Sequence, residues 1–415
     1  MKNKVEIMAP AGSFECLSAA IKAGAGSVYF GVGQLNMRAR AANNFTLKDL
    51  KKVSKICKEK GVKTYLTLNI VMYDEDLGAG KDVCDAVKKA GIDAIIASDI
   101  SVIEYANSIG MEVHLSTQVN VSNTEAVRFY AKYADVIVLA RELTLKQIKD
   151  ICNKIKKEKI KGPSGGLVKI EIFVHGALCV SIAGKCYMSL ANYNESANRG
   201  LCLQTCRRKY RVFDDETGDE LVIDNNHVMS PKDLCTIGFI DRLIDSGVSI
   251  FKIEGRGRAA DYVYTVTKVY SEAVESFYKK SYSKDKIKRW IKELETVYNR
   301  GFWHGGYYLG KKLGEWSGVY GSRATKEKVF VGVVDNYFSK NKVCEFKIQT
   351  GEVKVGDEII ITGATTGVVK DKVGSMRVDD KDVGIAKKGD FVTIPIKERL
   401  REKDKLFILV DRVEK

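Results

Sequence analysis

Eight short apolar runs recur through the first 255 residues of a 415-residue chain, each ending in a small or polar residue and most followed by a helical pattern. They are Glu6–Met8, Ser27–Phe30, Lys63–Leu68, Ala94–Ala97, Glu112–Leu115, Val136–Leu139, Lys169–Val174 and Ile250–Ile253. Helical stretches fall between them, at Phe14–Ala23, Leu47–Lys60, Gly80–Lys89, Ile100–Ser108, Thr124–Lys132, Thr144–Lys159 and Gly238–Ser246, and Asp261–Lys279 follows the last run. Gly61 and Gly91 stand where helix C-caps are needed. Continuous apolar strands alternating with helices call for a parallel sheet covered on both faces. Eight such units predict an α/β chain folded as a closed (β/α)8 TIM-type barrel. A doubly wound open sheet is the rival.

In a barrel of this kind, function sits at the C-terminal ends of the strands. Those ends read Ala9-Pro10-Ala11-Gly12, Gly31, Asn69, Ser98-Asp99, Ser116-Thr117-Gln118, Arg141-Glu142, His175-Gly176 and Glu254-Gly255-Arg256, with Arg38 and Arg40 after the second strand. Polar residues at strand ends are ordinary. Arg141-Glu142 and Glu254-Gly255-Arg256 stand out because each combines Arg with a carboxylate. Each is either a salt bridge closing the rim or a clamp for an anionic substrate, since guanidinium matches carboxylate and phosphate geometry. The candidate catalytic set is therefore Arg38, Arg40, Asn69, Gln118, Arg141, His175, Glu254 and Arg256. His175 reads either as a base or as a hydrogen-bonded structural residue, with Glu171 on the strand below it. The sequence holds no Ser/His/Asp arrangement, no His-Glu-x-x-His and no phosphate loop.

One connection is abnormal. About 75 residues separate Val174 from Ile250, and they hold Cys179, Cys186, Cys202, Cys206 and Cys235, half of the 10 cysteines. The first four are spaced Cys-x6-Cys, then 15 residues, then Cys-x3-Cys. Clustered thiols in a reducing compartment read as metal ligands or redox groups, and four thiolates can hold a [4Fe–4S] cluster or zinc. The spacing lacks the Cys-x2-Cys knuckles of zinc ribbons and the third cysteine of a radical-SAM loop. Unligated thiols are the remaining alternative. Cys16, Cys57, Cys84, Cys152 and Cys344 mostly fall on apolar faces and read as core. Around the second pair, Arg199, Arg207, Arg208, Lys209 and Arg211 bring five cations and no acid within 13 residues. They suit phosphate contact, support of the thiolates, or solvent.

Charge points the same way. The net formal charge is +15, and residues 325–415 supply only +3 of it, from 19 basic and 16 acidic side chains. The excess therefore lies in the barrel half and favours a polyanion or an anionic small substrate. With 4 Pro, no apolar signal stretch after Met1 and no run near the roughly 20 apolar residues of a membrane span, the chain is expected to be cytoplasmic, without membrane contact.

Glu171-Ile172-Phe173-Val174-His175-Gly176-Ala177-Leu178-Cys179 followed by Gly184-Lys185-Cys186-Tyr187-Met188-Ser189 resembles the signature of the collagenase-like peptidase family U32. Ala9 to Gly12, Gly200 to Tyr210, Ser230 to Leu234, Phe251 to Arg256 and Asn299-Arg300-Gly301-Phe302 extend the resemblance across nearly the whole chain. The resemblance implies several activities. Some members are named for collagen degradation. One branch forms 5-hydroxyuridine at the tRNA wobble position and depends on prephenate, another hydroxylates a cytidine of ribosomal RNA, and a third serves oxygen-independent ubiquinone synthesis with an iron–sulfur cluster. By the same resemblance Cys179, Cys186, Cys202 and Cys206 would hold the [4Fe–4S] cluster, with Cys235 in reserve.

The expected organisation is a barrel over 1–309 with the cysteine insertion at 177–235, a linker at 310–325 and an all-β domain over 326–415. Short strands are expected in that domain at Val329–Val334, Val343–Ile348, Glu358–Thr362, Gly367–Val373, Phe391–Ile396 and Lys405–Leu409. Gly356 to Gly363 looks like the second-domain barrel of translation GTPases, a fold-level likeness that suits tRNA contact. Three functions compete: an enzyme hydroxylating a tRNA wobble uridine with prephenate as co-substrate, a peptidase, and a non-catalytic scaffold.

Overall fold

The computed structural model describes residues 4–40, 44–221, 229–310, 315–319 and 321–412. All eight runs are strands: β1 (Glu6–Pro10), β2 (Ser27–Phe30), β3 (Lys63–Leu68), β4 (Ala94–Ala97), β5 (Glu112–Leu115), β6 (Val136–Val138), β7 (Lys169–Gly176) and β8 (Ile250–Ile253). Each pairs in parallel with its successor, and β8 pairs with both β7 and β1, so the sheet closes into a TIM-type barrel. Helices fill the connections because their ends are capped locally. Ser13 accepts from the Cys16 N–H at 3.2 Å to start Phe14–Lys22. Thr144 and Gln147 cap Leu145–Lys157 reciprocally.

β7 runs two residues further than the apolar run suggests. Leu234 and Cys235, in the strand Asp233–Cys235, pair antiparallel with Gly176 and His175 and continue its ladder. Phe302–His304 then adds in parallel to Asp233–Cys235. His175 therefore lies within the sheet rather than in the loop beyond it. Between β7 and Asp233, the insertion contains the helix Met188–Tyr193 and the two-stranded ribbon of Val212–Phe213 and Glu220–Leu221. Helices Ala260–Tyr278 and Lys284–Glu295 follow β8.

From Lys326 the chain is all-β and antiparallel, with its own core around Val331, Phe346, Ile359, Ile361, Val392 and Leu406. Its first strand, Lys326–Phe338, is longer than expected, and short strands at Glu352–Lys354 and Ile385–Lys387 join the expected set. The region docks on the outside of the barrel. Lys328 Nζ meets Asp261 Oδ1 at 2.6 Å, Lys370 Nζ donates to Thr265 Oγ1 at 2.9 Å, and Lys22 Nζ donates to the Val368 carbonyl at 2.8 Å. Among the described residues, no helix is long and apolar enough to cross a membrane.

The barrel interior combines an apolar layer of Met8, Tyr29, Tyr65, Ala94, Ile96, Val136 and Ile250 with a buried ion pair. Lys252 Nζ lies 2.8 Å from Glu171 Oε1 and over the Tyr29 ring at 4.7 Å. His114 Nδ1 faces Glu171 Oε2 at 4.0 Å, while its ring packs on Tyr65 at 4.3 Å. A pair this deep is costly to break from one side, because the remaining charge is left in a medium that cannot solvate it. Lys252→Met should therefore destabilise the protein by about 3–5 kcal/mol in denaturant titration. Adding Glu171→Gln to it should recover most of that loss, and equal stability of the single and double variants would refute the pairing.

Candidate active site at the barrel mouth

The insertion lies across the C-terminal ends of the strands, tied to four separate βα loops. The Arg40 N–H donates to the Gly200 carbonyl at 3.4 Å, and the Val71 N–H donates to the Asn198 carbonyl at 3.2 Å. Asn120 Nδ2 donates to the Ala183 carbonyl at 3.1 Å, and Arg141 Nη2 to the Ala177 carbonyl at 3.0 Å. The seam at Gly200 is close. Its φ is +87°, and a Cβ there would lie 2.3 Å from the Asn36 carbonyl oxygen. Only glycine allows that backbone conformation and approach together.

Beneath this cover the expected arginines converge. Arg38 Nη2 meets Glu254 Oε1 at 3.0 Å, with 38% of the Arg38 side chain and 14% of the Glu254 side chain exposed. Burial works to raise the Glu254 pKa, but Arg38, Arg141 and Arg256 together outweigh it and hold the carboxyl below its usual range. Arg256 is buried and donates to Thr67 Oγ1 and Asn36 Oδ1, so it braces the loop that carries Arg38. Burial pulls its pKa down to about 10. Arg141 lies over the Phe173 ring at 4.6 Å, and its buried Nε has no hydrogen-bond partner among the described residues. Asn69 Nδ2 donates to Ser116 Oγ and Gln118 Oε1, both at 3.3 Å, joining the ends of β3 and β5. Arg40 stands at the rim, 3.7 Å from Glu195 of the insertion.

The four insertion cysteines are free and partly to fully exposed, whereas Cys235 and the five predicted core cysteines are buried. Burial raises the Cys206 pKa, Arg207 opposes it, and Cys179, Cys202 and Cys186 each push it up further. Cys206 thus lies near enough to the other three for each to act on it. Among the described residues, no three His, Cys, Asp or Glu side chains are arranged to hold a single metal ion. Cys179 opens into a cavity of about 500 Å³ that Arg141, Glu142, Leu178, Ile182 and Tyr307 also line. Tyr307 was invisible to sequence reasoning. It reaches the mouth only because Phe302–His304 returns beside Asp233–Cys235, a pairing no local pattern announces.

The five cations of the loop divide. Arg199 is bound to Asp76 at 2.5 Å and stacks on Tyr73 at 3.9 Å. Arg207 points inward, donating to the Leu178 and Pro231 carbonyls. Arg211 pairs with Glu220 at 3.6 Å. Arg208 and Lys209 face solvent.

His175 is buried between Tyr270, whose hydroxyl lies 3.4 Å from Nδ1, and the Phe302 ring. Burial first and His304 second pull its pKa down to about 3, so it is neutral at physiological pH. The unfolded chain binds a proton below about 6.5 that the folded chain refuses, so this contribution is intact at neutral pH and is lost as pH falls from 6.5 towards 3. Wild type should lose about 1.5 kcal/mol from this group between pH 6.5 and 5. Denaturant titrations of His175→Gln should show a shallower acid limb, and parallel limbs would contradict a neutral buried imidazole.

Three relatives and one family model bear on this site. A collagenase of Porphyromonas gingivalis is 55% identical over 412 residues, covering 99% of this chain and 99% of the relative. The tRNA hydroxylation protein P1 of Bacillus subtilis is 32% identical over 373 residues, 87% of this chain and 84% of the relative. A 23S ribosomal RNA 5-hydroxycytidine synthase of Escherichia coli is 34% identical over 275 residues, 66% of this chain and 40% of that protein. The family model matched spans residues 12–318, which takes in barrel strands β2 to β8, the cysteine insertion and Tyr307, and by that match the chain belongs to peptidase family U32.

Proposed function

We propose that this chain is an RNA-modifying enzyme that hydroxylates a tRNA wobble uridine to 5-hydroxyuridine, with a [4Fe–4S] cluster on Cys179, Cys186, Cys202 and Cys206 and an anionic co-substrate such as prephenate. The observation that carries the reading is the meeting, at one barrel mouth, of Cys206, on which the other three thiols act, and of Cys179 with Arg141, which lines the same cavity and whose Nε–H has no partner among the described residues. The names of the Bacillus subtilis and Escherichia coli relatives support RNA as substrate. The donor set fits the cluster: four free thiols, none in a disulfide, with the Arg207 cation beside them to offset thiolate charge. Such a cluster supplies one-electron chemistry when bound. The chain's own residues would do the rest. Arg141 offers a fork to a carboxylate of the co-substrate, Arg38 and Glu254 set the polarity of the mouth, and Arg256 fixes the loop that holds Arg38.

A peptidase is the second reading, favoured by the 55% identity to a relative named collagenase. Two histidines do not suit a hydrolytic base: His175 is buried with its pKa pulled down to about 3, too weak a base to take a proton at neutral pH, and His114 is buried in the barrel interior with Glu112 on its Nε2 at 3.1 Å.

Nucleoside mass spectrometry on RNA from a deletion strain separates the readings. Loss of tRNA 5-hydroxyuridine, restored by wild type and not by Cys179→Ala/Cys186→Ala, is the expected result. Loss of a ribosomal RNA hydroxycytidine instead would move the substrate, and unchanged RNA with gelatin cleavage by the purified protein would establish the peptidase. Anaerobically purified protein should hold about four Fe per chain, and stoichiometric zinc without iron would remove the cluster. Arg141→Lys keeps the charge and loses the planar fork, so modification should fall tenfold or more with iron content unchanged.

A further inference from the structure

The outer surface of the cysteine insertion carries aromatic rings where a soluble chain has least use for them. Tyr187 is 71% exposed, Tyr73 48% and Tyr193 46%. They form one region. Tyr187 follows Cys186, whose N–H donates to Asn198 Oδ1 at 3.1 Å, and Asn198 precedes Arg199. Arg199 stacks on Tyr73 at 3.9 Å and is pinned there by Asp76. Tyr193 ends the short helix that starts at Met188, and Arg208 lies over its ring at 5.1 Å while donating to its hydroxyl. A guanidinium against one face of a ring steadies the ring and leaves its other face open. Arg208 and Lys209 make no ion pair among the described residues.

Exposed rings with unpaired cations beside them are the two ingredients of single-strand recognition: bases stack on the rings and phosphates meet the cations. An apolar protein partner would need neither cation, and an acidic peptide would not need three exposed rings. We propose that Tyr187, Tyr193 and Tyr73 form a stacking platform for unpaired bases of an RNA loop, with Arg208 and Lys209 on its phosphates, so that a neighbouring nucleotide is held above the cavity lined by Cys179 and Arg141. This rests on the reading of the barrel mouth as an RNA-modifying site and names the part of the RNA that it grips.

The test is binding of the full-length chain, purified anaerobically, to an RNA hairpin with a seven-nucleotide loop carrying one 2-aminopurine. A blunt duplex of the same stem serves as control. Tyr187→Ala should weaken hairpin binding about tenfold and remove the fluorescence quenching that stacking causes, while Tyr187→Phe stays within about twofold of wild type because the ring suffices. Duplex binding should be the same in all three. Arg208→Ala/Lys209→Ala should lower the log–log salt slope by about 0.7 per lost contact, and Tyr187→Ala should leave that slope unchanged. Wild-type hairpin binding that Tyr187→Ala and Tyr193→Ala do not weaken would overturn the platform and leave the RNA reading standing. Wild-type hairpin binding no tighter than that of a matched basic control protein would overturn both. Polyglutamate that competes with the same dependence on Tyr187 would assign the surface to an acidic protein and overturn the proposal.

Discussion

Closure of the sheet between β7 and β8 is the constraint on which the rest of the molecule depends. At that seam the two backbones meet directly. The Glu254 N–H donates to the His175 carbonyl at 2.9 Å, and a Cβ on Gly176, at φ +100°, would lie 2.5 Å from the Glu254 carbonyl oxygen. Tyr262 donates to that same oxygen at 2.8 Å and fixes it from the helix side. The cysteine insertion leaves the barrel directly after Gly176, and Glu254 and Arg256 leave it directly after β8. One seam thus carries the thiols, the carboxylate and the buried guanidinium to the same place. A looser junction would separate chemistry that lies far apart in sequence.

The barrel was legible because its signal is local. A strand covered on both faces must be continuously apolar, and eight such runs leave few topologies. The cysteine insertion was legible for a related reason: a connection of about 75 residues with half the cysteines departs from every other connection in the chain. What the sequence hides is direction. Arg199, Arg207, Arg208, Lys209 and Arg211 read as one basic loop, yet Asp76, the Leu178 carbonyl and Glu220 claim three of them. Tyr307 at the cavity and His175 within the strand were equally hidden, since both follow from pairings with Asp233–Cys235, more than 55 residues from either.

The buried charges follow one rule at both levels of the barrel. In the interior Lys252 and Glu171 neutralise each other. At the mouth Arg38, Arg141 and Arg256 act on Glu254, with Glu142 exposed beside Arg141 as the one further carboxylate lining the cavity among the described residues. The interior is balanced and the mouth is not, so an anion arriving at the mouth finds cationic excess where the dielectric is low and each charge counts for more than at the surface. That asymmetry is independent of the thiols and suits the anionic co-substrate proposed for this mouth.

Arg207 shows how closely the thiols and the cations are built together. It sits next to Cys206 in sequence, and its guanidinium donates to the carbonyl of Leu178, the residue before Cys179. A second bond at 3.2 Å ties it to the Pro231 carbonyl, at the far end of the insertion. Burial and then the neighbouring Arg300 lower its pKa, while Cys206, Asp233 and Cys179 hold it up. Arg207 is therefore a staple between the first and last cysteines of the set. Reversing its charge would place a carboxylate against two carbonyls and the sulfurs, and the insertion would lose its docking along with any ligand it holds. A loss of the proposed RNA modification in Arg207→Glu would report on that architecture rather than on RNA contact. Arg208 also holds the Tyr193 ring, so Lys209, exposed and in no ion pair among the described residues, is the position at which charge reversal best isolates the proposed phosphate contact.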